Sequence, residues 1–266
     1  MILREELKQN AGLKLNNGVF YQTDHSRQND FEQIYLSLRT KENRLYTDEK
    51  VKLLPAIASD EKLKNEWSMR KISVDKLIAY LKRRHPLRSI LEVGCGNGWL
   101  ANKLVSDLST DVLAIDVNEA ELLQGARVFS SERLNFVYGD VFSIKLQPER
   151  FDSIILASSI QYFQNIQSLI NHLLRLVTAA GEIHIIDSPI YSSDHAVTAA
   201  KKRSAEHFAD FGYRDMQQYY FHHTWEEIGI FKHKVLENPH AIMPLIRRKL
   251  FKKNHPVFPW IVIKAN

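Results

Sequence analysis

A single cysteine, Cys95, excludes any disulfide within the chain and is compatible with a reducing compartment. Nowhere does the sequence run through the roughly 18 to 20 consecutive apolar residues that a bilayer-spanning helix needs. The opening residues, MILREELKQN, mix both charge signs and lack the apolar core of a secretory signal. Together these absences set the expectation of a cytoplasmic protein with no membrane span. There is no internal repeat and no low-complexity segment, so a solenoid or linker-rich array is not indicated. Hydrophobic residues make up 44% and charged residues 25%, enough apolar content to bury a core rather than remain disordered. A length of 266 residues suits one large domain, or one domain with an appendage.

The formal net charge is +5, and the basic excess is patchy. It gathers at Arg70, Lys71, Lys76, Lys82, Arg83, Arg84 and Arg88, and again at Arg247, Arg248, Lys249, Lys252 and Lys253. Such patches can attract nucleic acid, anionic lipid or an anionic small substrate, but solvated helix faces are the plainer reading.

Residues 1–60 read as an irregular, partly helical N-terminal extension. Phe31, Ile34, Tyr35 and Leu38 recur at helical spacing after a capping Asn29 or Asp30, and Pro55 closes the segment. A second helix is expected from about Asp60 to Arg84, with Trp67, Ile72, Val74, Leu77, Ile78 and Leu81 as its apolar stripe and Pro86 as its stop. From residue 89 the pattern becomes alternating strand and helix. Strands are expected at 89–95, 111–117, 135–140, 151–159 and 182–191, the last preceded by a helix ending at Gly181 as a C′ glycine. Short strands near 233–237 and 259–265 complete the set. The expected fold class is therefore α/β: a Rossmann-like doubly wound sheet of about seven strands, mostly parallel with an antiparallel C-terminal strand. The body would span 61–266, with a helical, aromatic-rich lid insert over about 192–225.

The first of these strands ends in Glu92-Val-Gly94-Cys95-Gly96-Asn97-Gly98. Glycines at this spacing let the backbone turn tightly and approach a ligand with no Cβ in the way. The helix that follows presents free N–H groups and the positive end of its dipole. The second strand ends in Asp116, placed to accept hydrogen bonds from both hydroxyls of a ribose. The third ends in Gly139-Asp140-Val141, where a carboxylate can accept from an exocyclic amine of adenine, or can simply serve a turn. Ligands of open α/β sheets bind at this carboxyl edge, so the three tips together point to one nucleoside.

LEVGCGNGWL, AIDVNEAEL and YGDVF, in this order and spacing, resemble the class I S-adenosylmethionine-dependent methyltransferases over about residues 88–191. The resemblance implies S-adenosylmethionine as cofactor and assigns a role to each tip. Glu92 would lie under the glycine loop or meet the amino group of the methionine part. Gly94, Cys95, Gly96, Asn97 and Gly98 would carry the cofactor. Asp116 and Val117 would hold the ribose, and Gly139, Asp140 and Val141 the adenine. Ser158 and Gln161, past the fourth strand, would line the methyl-transfer end, and Arg70 would reach the cofactor carboxylate.

The sulfonium methyl group needs no metal and no nucleophilic triad, so no metal ligands are expected. An oxygen acceptor must lose a proton, for which the candidates are His222, His223, Asp187, Tyr191 and Tyr162. The histidine pair falls in the segment expected to cap the site, though adjacent histidines are also common structural pairs. No aromatic–basic recognition motif supports nucleic acid, and the motif that marks nucleobase amine methylation is missing after strand four. The N-terminal run and the EW-x-x-R helix resemble those of a bacterial subgroup that modifies metabolites or glycans. A small-molecule acceptor, methylated at oxygen or nitrogen, is the reading; an RNA methyltransferase or a non-catalytic binding protein of this fold are the alternatives. An NAD-dependent dehydrogenase fits less well, because G-x-G-x-G is not G-x-G-x-x-G and Gly139-Asp140 would have no role.

Overall fold

The computed structural model describes residues 2–10, 12–22, 30–56, 61–84, 86–239 and 257–265. The capping Asn29 and the basic cluster Arg247, Arg248, Lys249, Lys252 and Lys253 lie outside the described residues.

The N-terminal region is more ordered than its sequence suggests. Helix α1 (Ile2–Gln9) buries Leu3 and Leu7, one turn apart. A hairpin follows, β1 (Leu13–Asn16) paired antiparallel with β2 (Val19–Gln22). Its turn is Asn17-Gly18, with φ of 48° and 82°, as a two-residue hairpin of matching twist requires. Three helices come next: α2 (Asp30–Lys41), α3 (Asp48–Leu53) and α4 (Glu61–Lys82).

The alternating part matches its pattern. It runs β3 (Ser89–Val93), α5 (Trp99–Leu108), β4 (Asp111–Asp116), α6 (Glu119–Val128), β5 (Leu134–Tyr138), β6 (Phe151–Ala157), α7 (Ile166–Leu176) and β7 (Val177–Ile186). The strand expected at 182–191 differs at both ends: it stops at Ile186, and Ile190–Tyr191 pair in a separate two-stranded sheet. The stretch Val177–Gly181, expected to end the helix, is already strand, and α7 stops at Leu176. Gly181 is thus no helix cap. A Cβ there would lie 2.4 Å from Val177 Cγ2 and 3.0 Å from the Asp152 carbonyl, so the glycine admits a close strand–strand approach beside a register shift between Phe151 and Ser153.

The chain then forms β8 (Ile190–Tyr191), α8 (Asp194–Asp210), β9 (His223–Thr224), α9 (Trp225–Gly229), β10 (His233–Glu237) and β11 (Trp260–Lys264). Among the described residues the main sheet has nine strands in the order β1-β2-β5-β4-β3-β6-β7-β11-β10. The hairpin contributes the two strands beyond the expected seven, with β2 parallel to β5. The five central strands are parallel, and β11 and β10 close the other side antiparallel. Apolar side chains cover both faces, as buried parallel strands require. Leu91, Val93, Leu113 and Ile154 pack on one face, and Ile90, Val112, Ala114 and Ile155 on the other. A third, separate cluster joins α2 to α8 and the 3₁₀ turn Arg214–Tyr219 through Leu38, Phe208 and Met216, with Phe31, Tyr35, Tyr162 and Tyr219 around them. The chain reverses its direction of travel across the sheet between β3 and β6, and the cavity described next lies at the carboxyl ends there.

Candidate active site

A cavity of about 420 Å³ opens at these strand ends, walled by the glycine loop, the tips of β4 to β7 and residues of α2, α4 and the loop between α2 and α3. Of the expected cofactor residues it takes in Arg70, Glu92, Gly94, Cys95, Gly96, Asn97, Asp116, Val117, Gly139, Asp140, Val141 and Ser158. The sulfur of Cys95 is buried and its thiol is pushed well up by burial, so it is an inert wall of the site rather than a nucleophile.

The glycines divide their work. Gly94 has φ of 76°, and a Cβ on it would stand 2.5 Å from Ser159 Cβ, whose hydroxyl in turn donates to the Val93 carbonyl at 2.8 Å. Gly96 donates its N–H to Asp116 Oδ2 at 2.7 Å. Gly98 is not on the cavity wall: at φ of 72° it begins α5, and a Cβ would lie 2.3 Å from the Phe136 ring. Its role is to let that helix seat on the core.

Asp116 Oδ1 also accepts from the Asn118 N–H at 2.9 Å. A carboxylate offers about four acceptor positions, so these two bonds leave capacity for ligand hydroxyls. Burial pushes Asp116 up to about 6 and the neighbouring Glu121, on α6, up to about 7, the latter with Asp116 as second cause. Glu121 lines the cavity and was not anticipated; nor was Asn118, whose amide donates to it at 2.9 Å. Asp140 Oδ1 accepts from the Phe142 N–H at 3.0 Å, so this side chain shapes its turn while facing the cavity.

Glu92 is buried, and its pKa is held well above the usual carboxylate range by burial and then by Asp116. One carboxyl oxygen, Oε2, has no hydrogen-bond partner. An unpartnered buried polar atom is costly. In a residue lining the cavity, it fits a group that waits for a donor from a ligand.

The tips of β6 and β7 are strained together. Ser158 and Asp187 both adopt left-handed backbone, with φ of 54° and 52°, a cost usually retained at functional sites. The Ser158 hydroxyl donates to the Asp187 carbonyl at 2.9 Å, and the Ser73 hydroxyl of α4 donates to Asp187 Oδ1 at 2.6 Å. Burial raises Asp187 to about 6. Gln161 stands behind this corner, off the cavity wall, its amide donating to the Ser158 carbonyl at 2.6 Å.

Of the base candidates, Asp187 and Tyr162 reach the cavity; His222, His223 and Tyr191 do not line it. His223 is buried, with Nε2 3.1 Å from the Ile160 carbonyl and Nδ1 3.5 Å from Glu227. His222 Nε2 lies 3.0 Å from the Ser204 hydroxyl, and its ring packs on Tyr191 and Tyr220. The strand pairing of Ile190–Tyr191 with His223–Thr224, a two-stranded sheet of its own, fastens the far end of the α8 segment back to the chain just beyond β7. The expected placement of the histidine pair over the site is therefore not seen: it belongs to that fastening.

The remaining wall comes from the N-terminal helices. A chain of ion pairs runs Arg39–Glu42 (2.7 Å), Glu42–Arg44 (3.5 Å), Arg44–Glu66 (2.7 Å) and Glu66–Arg70 (3.0 Å). The Arg70 guanidinium lies 5.2 Å from the Trp67 ring, which meets Trp99 edge-on at 5.4 Å, next to the glycine loop. Among the described residues no group of three or more His, Cys, Asp or Glu side chains is arranged to hold a metal ion, and no helix is long and apolar enough to cross a membrane.

A doubly wound sheet with a glycine loop and acidic tips at adjacent strand ends defines the Rossmann-like fold of the class I S-adenosylmethionine-dependent methyltransferases. Residues 90–181 match the family described as the methyltransferase domain. An uncharacterized methyltransferase of Mycobacterium tuberculosis is 24% identical over 97 residues, 36% of this chain and 49% of its own length. Malonyl-(acyl-carrier protein) O-methyltransferase 2 of Ilyobacter polytropus is 27% identical over 113 residues, 41% of this chain and 42% of its own. The chain thus spans less than half the length of these curated relatives. The plantazolicin methyltransferase BpumL, solved in complex with SAH, shares the fold with a TM-score of 0.53 at 15% identity, over 88% of this chain and 100% of that one. Phosphoethanolamine N-methyltransferase 2 of Haemonchus contortus gives 0.53 at 15% identity, over 91% and 62%.

Proposed function

We propose that the protein is a cytoplasmic methyltransferase that moves a methyl group from S-adenosylmethionine to an oxygen or nitrogen of a small-molecule acceptor. The observation that carries this reading is the convergence of Gly94–Gly96, Asp116 and Asp140 on one cavity that also contains the orphaned Glu92 carboxyl. The residues present fit the cofactor. Gly94 and Gly96 leave room for it, and Asp116 keeps acceptor capacity for ribose hydroxyls. Asp140 and the Val141 backbone edge face the adenine end. Glu92 is suited to an ammonium group, whose charge would keep the carboxyl ionised, and Arg70 to a carboxylate.

When bound, S-adenosylmethionine supplies a methyl group on a positively charged sulfur that is already electrophilic. The protein's part is alignment and exclusion of water, and alignment alone contributes on the order of 7 to 11 kcal/mol in well-oriented systems. Phe31, Tyr35, Tyr162 and Tyr219 roof the cavity, which suits a compact organic acceptor. Arg39, Arg44 and Arg70 sit on the cavity wall, each also paired with Glu42 or Glu66, rather than along an exposed phosphate-binding track, which weighs against RNA and leaves their remaining N–H groups to a small ligand.

Titration calorimetry with S-adenosylmethionine, S-adenosylhomocysteine and NAD tests the reading directly. Binding of the first two and not the third is expected. Transfer of a tritiated methyl group is then scored on a small-molecule extract and on total RNA; label entering only the RNA would replace the small-molecule reading, and NAD binding alone would end it.

A further inference from the structure

The roofed end of the cavity carries a donor pair that the cofactor residues leave unused. Arg39 Nη2 donates to the Tyr162 hydroxyl at 2.8 Å, and both residues line the cavity. The guanidinium is only partly exposed, with its carbon 4.8 Å from the Tyr35 ring centroid. Phe31 packs against Tyr35, Tyr162 and Tyr219 with ring centroids 5.6, 5.6 and 5.4 Å apart. A phenol oxygen that already accepts from a guanidinium keeps its own proton to donate. Arginine has donors and no acceptor. Glu42 takes Arg39 Nη1 at 2.7 Å, so what faces the cavity is the rest of the guanidinium and the phenol O–H, a set of donors inside aromatic walls that suits an anionic oxygen better than an ammonium group.

We infer that the acceptor is a carboxylic acid with an aryl or acyl body, held through its carboxylate by Arg39 and Tyr162, and that the methyl group goes to a carboxylate oxygen. This rests on the methyltransferase reading above. The cofactor's own carboxylate has a separate partner, because Arg70 sits at the far end of the Arg39–Glu42–Arg44–Glu66–Arg70 chain, against Trp67 and the glycine-loop side. The chemistry is consistent with where the bases stand. A carboxylate is already ionised near neutral pH. Its oxygen forms the bond to the methyl carbon, the carbon–sulfur bond breaks with its electron pair left on sulfur, and no proton moves. No base is then required: His222, His223 and Tyr191 lie off the cavity, Tyr162 serves as a donor, and Asp187 is engaged by the Ser73 hydroxyl at 2.6 Å.

The test uses the full chain loaded with S-adenosylhomocysteine, titrated with benzoate, phenylacetate and hexanoate and with their primary amides. At least one acid should bind, and its amide should bind roughly tenfold or more weakly, the scale of a lost charge-assisted hydrogen bond. Arg39→Gln and Tyr162→Phe should each weaken the acid by a similar factor and leave S-adenosylhomocysteine affinity within about threefold, since neither is assigned to the cofactor. Should Arg39→Gln fail to fold, Tyr162→Phe carries the comparison, because phenylalanine keeps the ring contacts. Amides binding as well as acids, no acid binding at all, or Arg39→Gln weakening the cofactor product as much as the acid would each overturn the inference. If S-adenosylhomocysteine itself does not bind the unaltered protein, it is the methyltransferase reading that fails. Tritiated methyl transferred to a bound acid should be released as volatile methanol by mild alkali; an alkali-stable label would place transfer elsewhere and also overturn it.

Discussion

Asp116, at the end of β4, accepts a hydrogen bond at 2.7 Å from the backbone N–H of Gly96, which stands in the loop after β3. One carboxylate therefore fixes the glycine loop and offers its remaining lone pairs to the ligand. Replacing it with alanine removes both functions. Hydrogen bonds to charged groups are worth about 1.5 to 3 kcal/mol each, so Asp116→Ala should weaken S-adenosylhomocysteine roughly 30-fold or more. Thermal stability should change far less, because the variant also relieves the burial that pushes this carboxyl to about 6. Calorimetry and thermal denaturation on the same samples separate the two effects, and unchanged affinity would remove Asp116 from the ribose site.

Gly96 and Gly98 share a motif and should fail differently. A Cβ on Gly98 would lie 2.3 and 2.7 Å from atoms of the Phe136 ring, buried in the core. Overpacking and left-handed backbone each cost about 1 to 3 kcal/mol, so Gly98→Ala should lower the denaturation midpoint strongly, and adding Phe136→Leu should recover part of the loss. Gly96, at φ of 54°, carries the backbone cost without the overpacking: a Cβ there would meet the Glu121 carboxyl at 3.4 Å, inside the cavity. Gly96→Ala should therefore cost ligand affinity more than stability. The same loss of stability in both variants would refute the division of roles.

The parallel strands and their tips were legible because the signals are local: apolar runs such as SILEV and DVLAID end in glycine or aspartate. The hairpin at 13–22 was also signalled, by Asn17-Gly18 between alternating residues, but a lead-in read for helical spacing hid it. Val177–Gly181 misled for the opposite reason. Thr178, Ala179 and Ala180 read on as helix, and pairing with β6 overrides that preference. Arg39, Arg44, Tyr46, Glu66 and Trp67 had no local signature as site residues. They reach the cavity only because α2 and α4 pack across the strand ends from far away in sequence. The histidine pair was conspicuous in sequence, yet tertiary pairing of β8 with β9 turns it into structure.

His223 is 2% exposed, and its ring lies against the Ile160 carbonyl and Glu227. Truncating a buried hydrogen-bonded side chain costs about 1 to 3 kcal/mol. His223→Ala should therefore unfold at lower temperature, while its methyl-transfer rate at a permissive temperature stays within about threefold. His222→Ala, with a partly exposed ring, should be milder in stability and equally small in rate. A base typically contributes about 10² to 10⁴ in rate. A loss of that size in either variant, with cofactor affinity intact, would return the pair to the mechanism.

The buried carboxyls give cofactor binding a direction with pH. Asp116 at about 6 and Glu121 at about 7 are both raised by burial. In the free protein such groups contribute stability that is full below their unfolded values, near 4, and lost as pH rises through 6 and 7. The ligand favours the opposite state, since an ionised Asp116 accepts ribose hydroxyls and an ionised Glu121 on the cavity wall attracts a positively charged ligand. Raising pH from about 5.5 to 8 should therefore increase affinity for S-adenosylmethionine by up to about tenfold per titrating group per unit. The stabilisation gained on adding S-adenosylmethionine should grow over the same range. Asp187, which burial also raises to about 6, lines the cavity and titrates in the same window as Asp116, whereas His184, which burial lowers to about 3, lies off the cavity and should cancel between free and bound protein. Glu121→Gln should remove the part of the dependence above about pH 6.5 and leave the lower part to Asp116 and Asp187. Affinity that is flat with pH, or that rises as pH falls, would show that these carboxyls do not face the ligand in their ionised form.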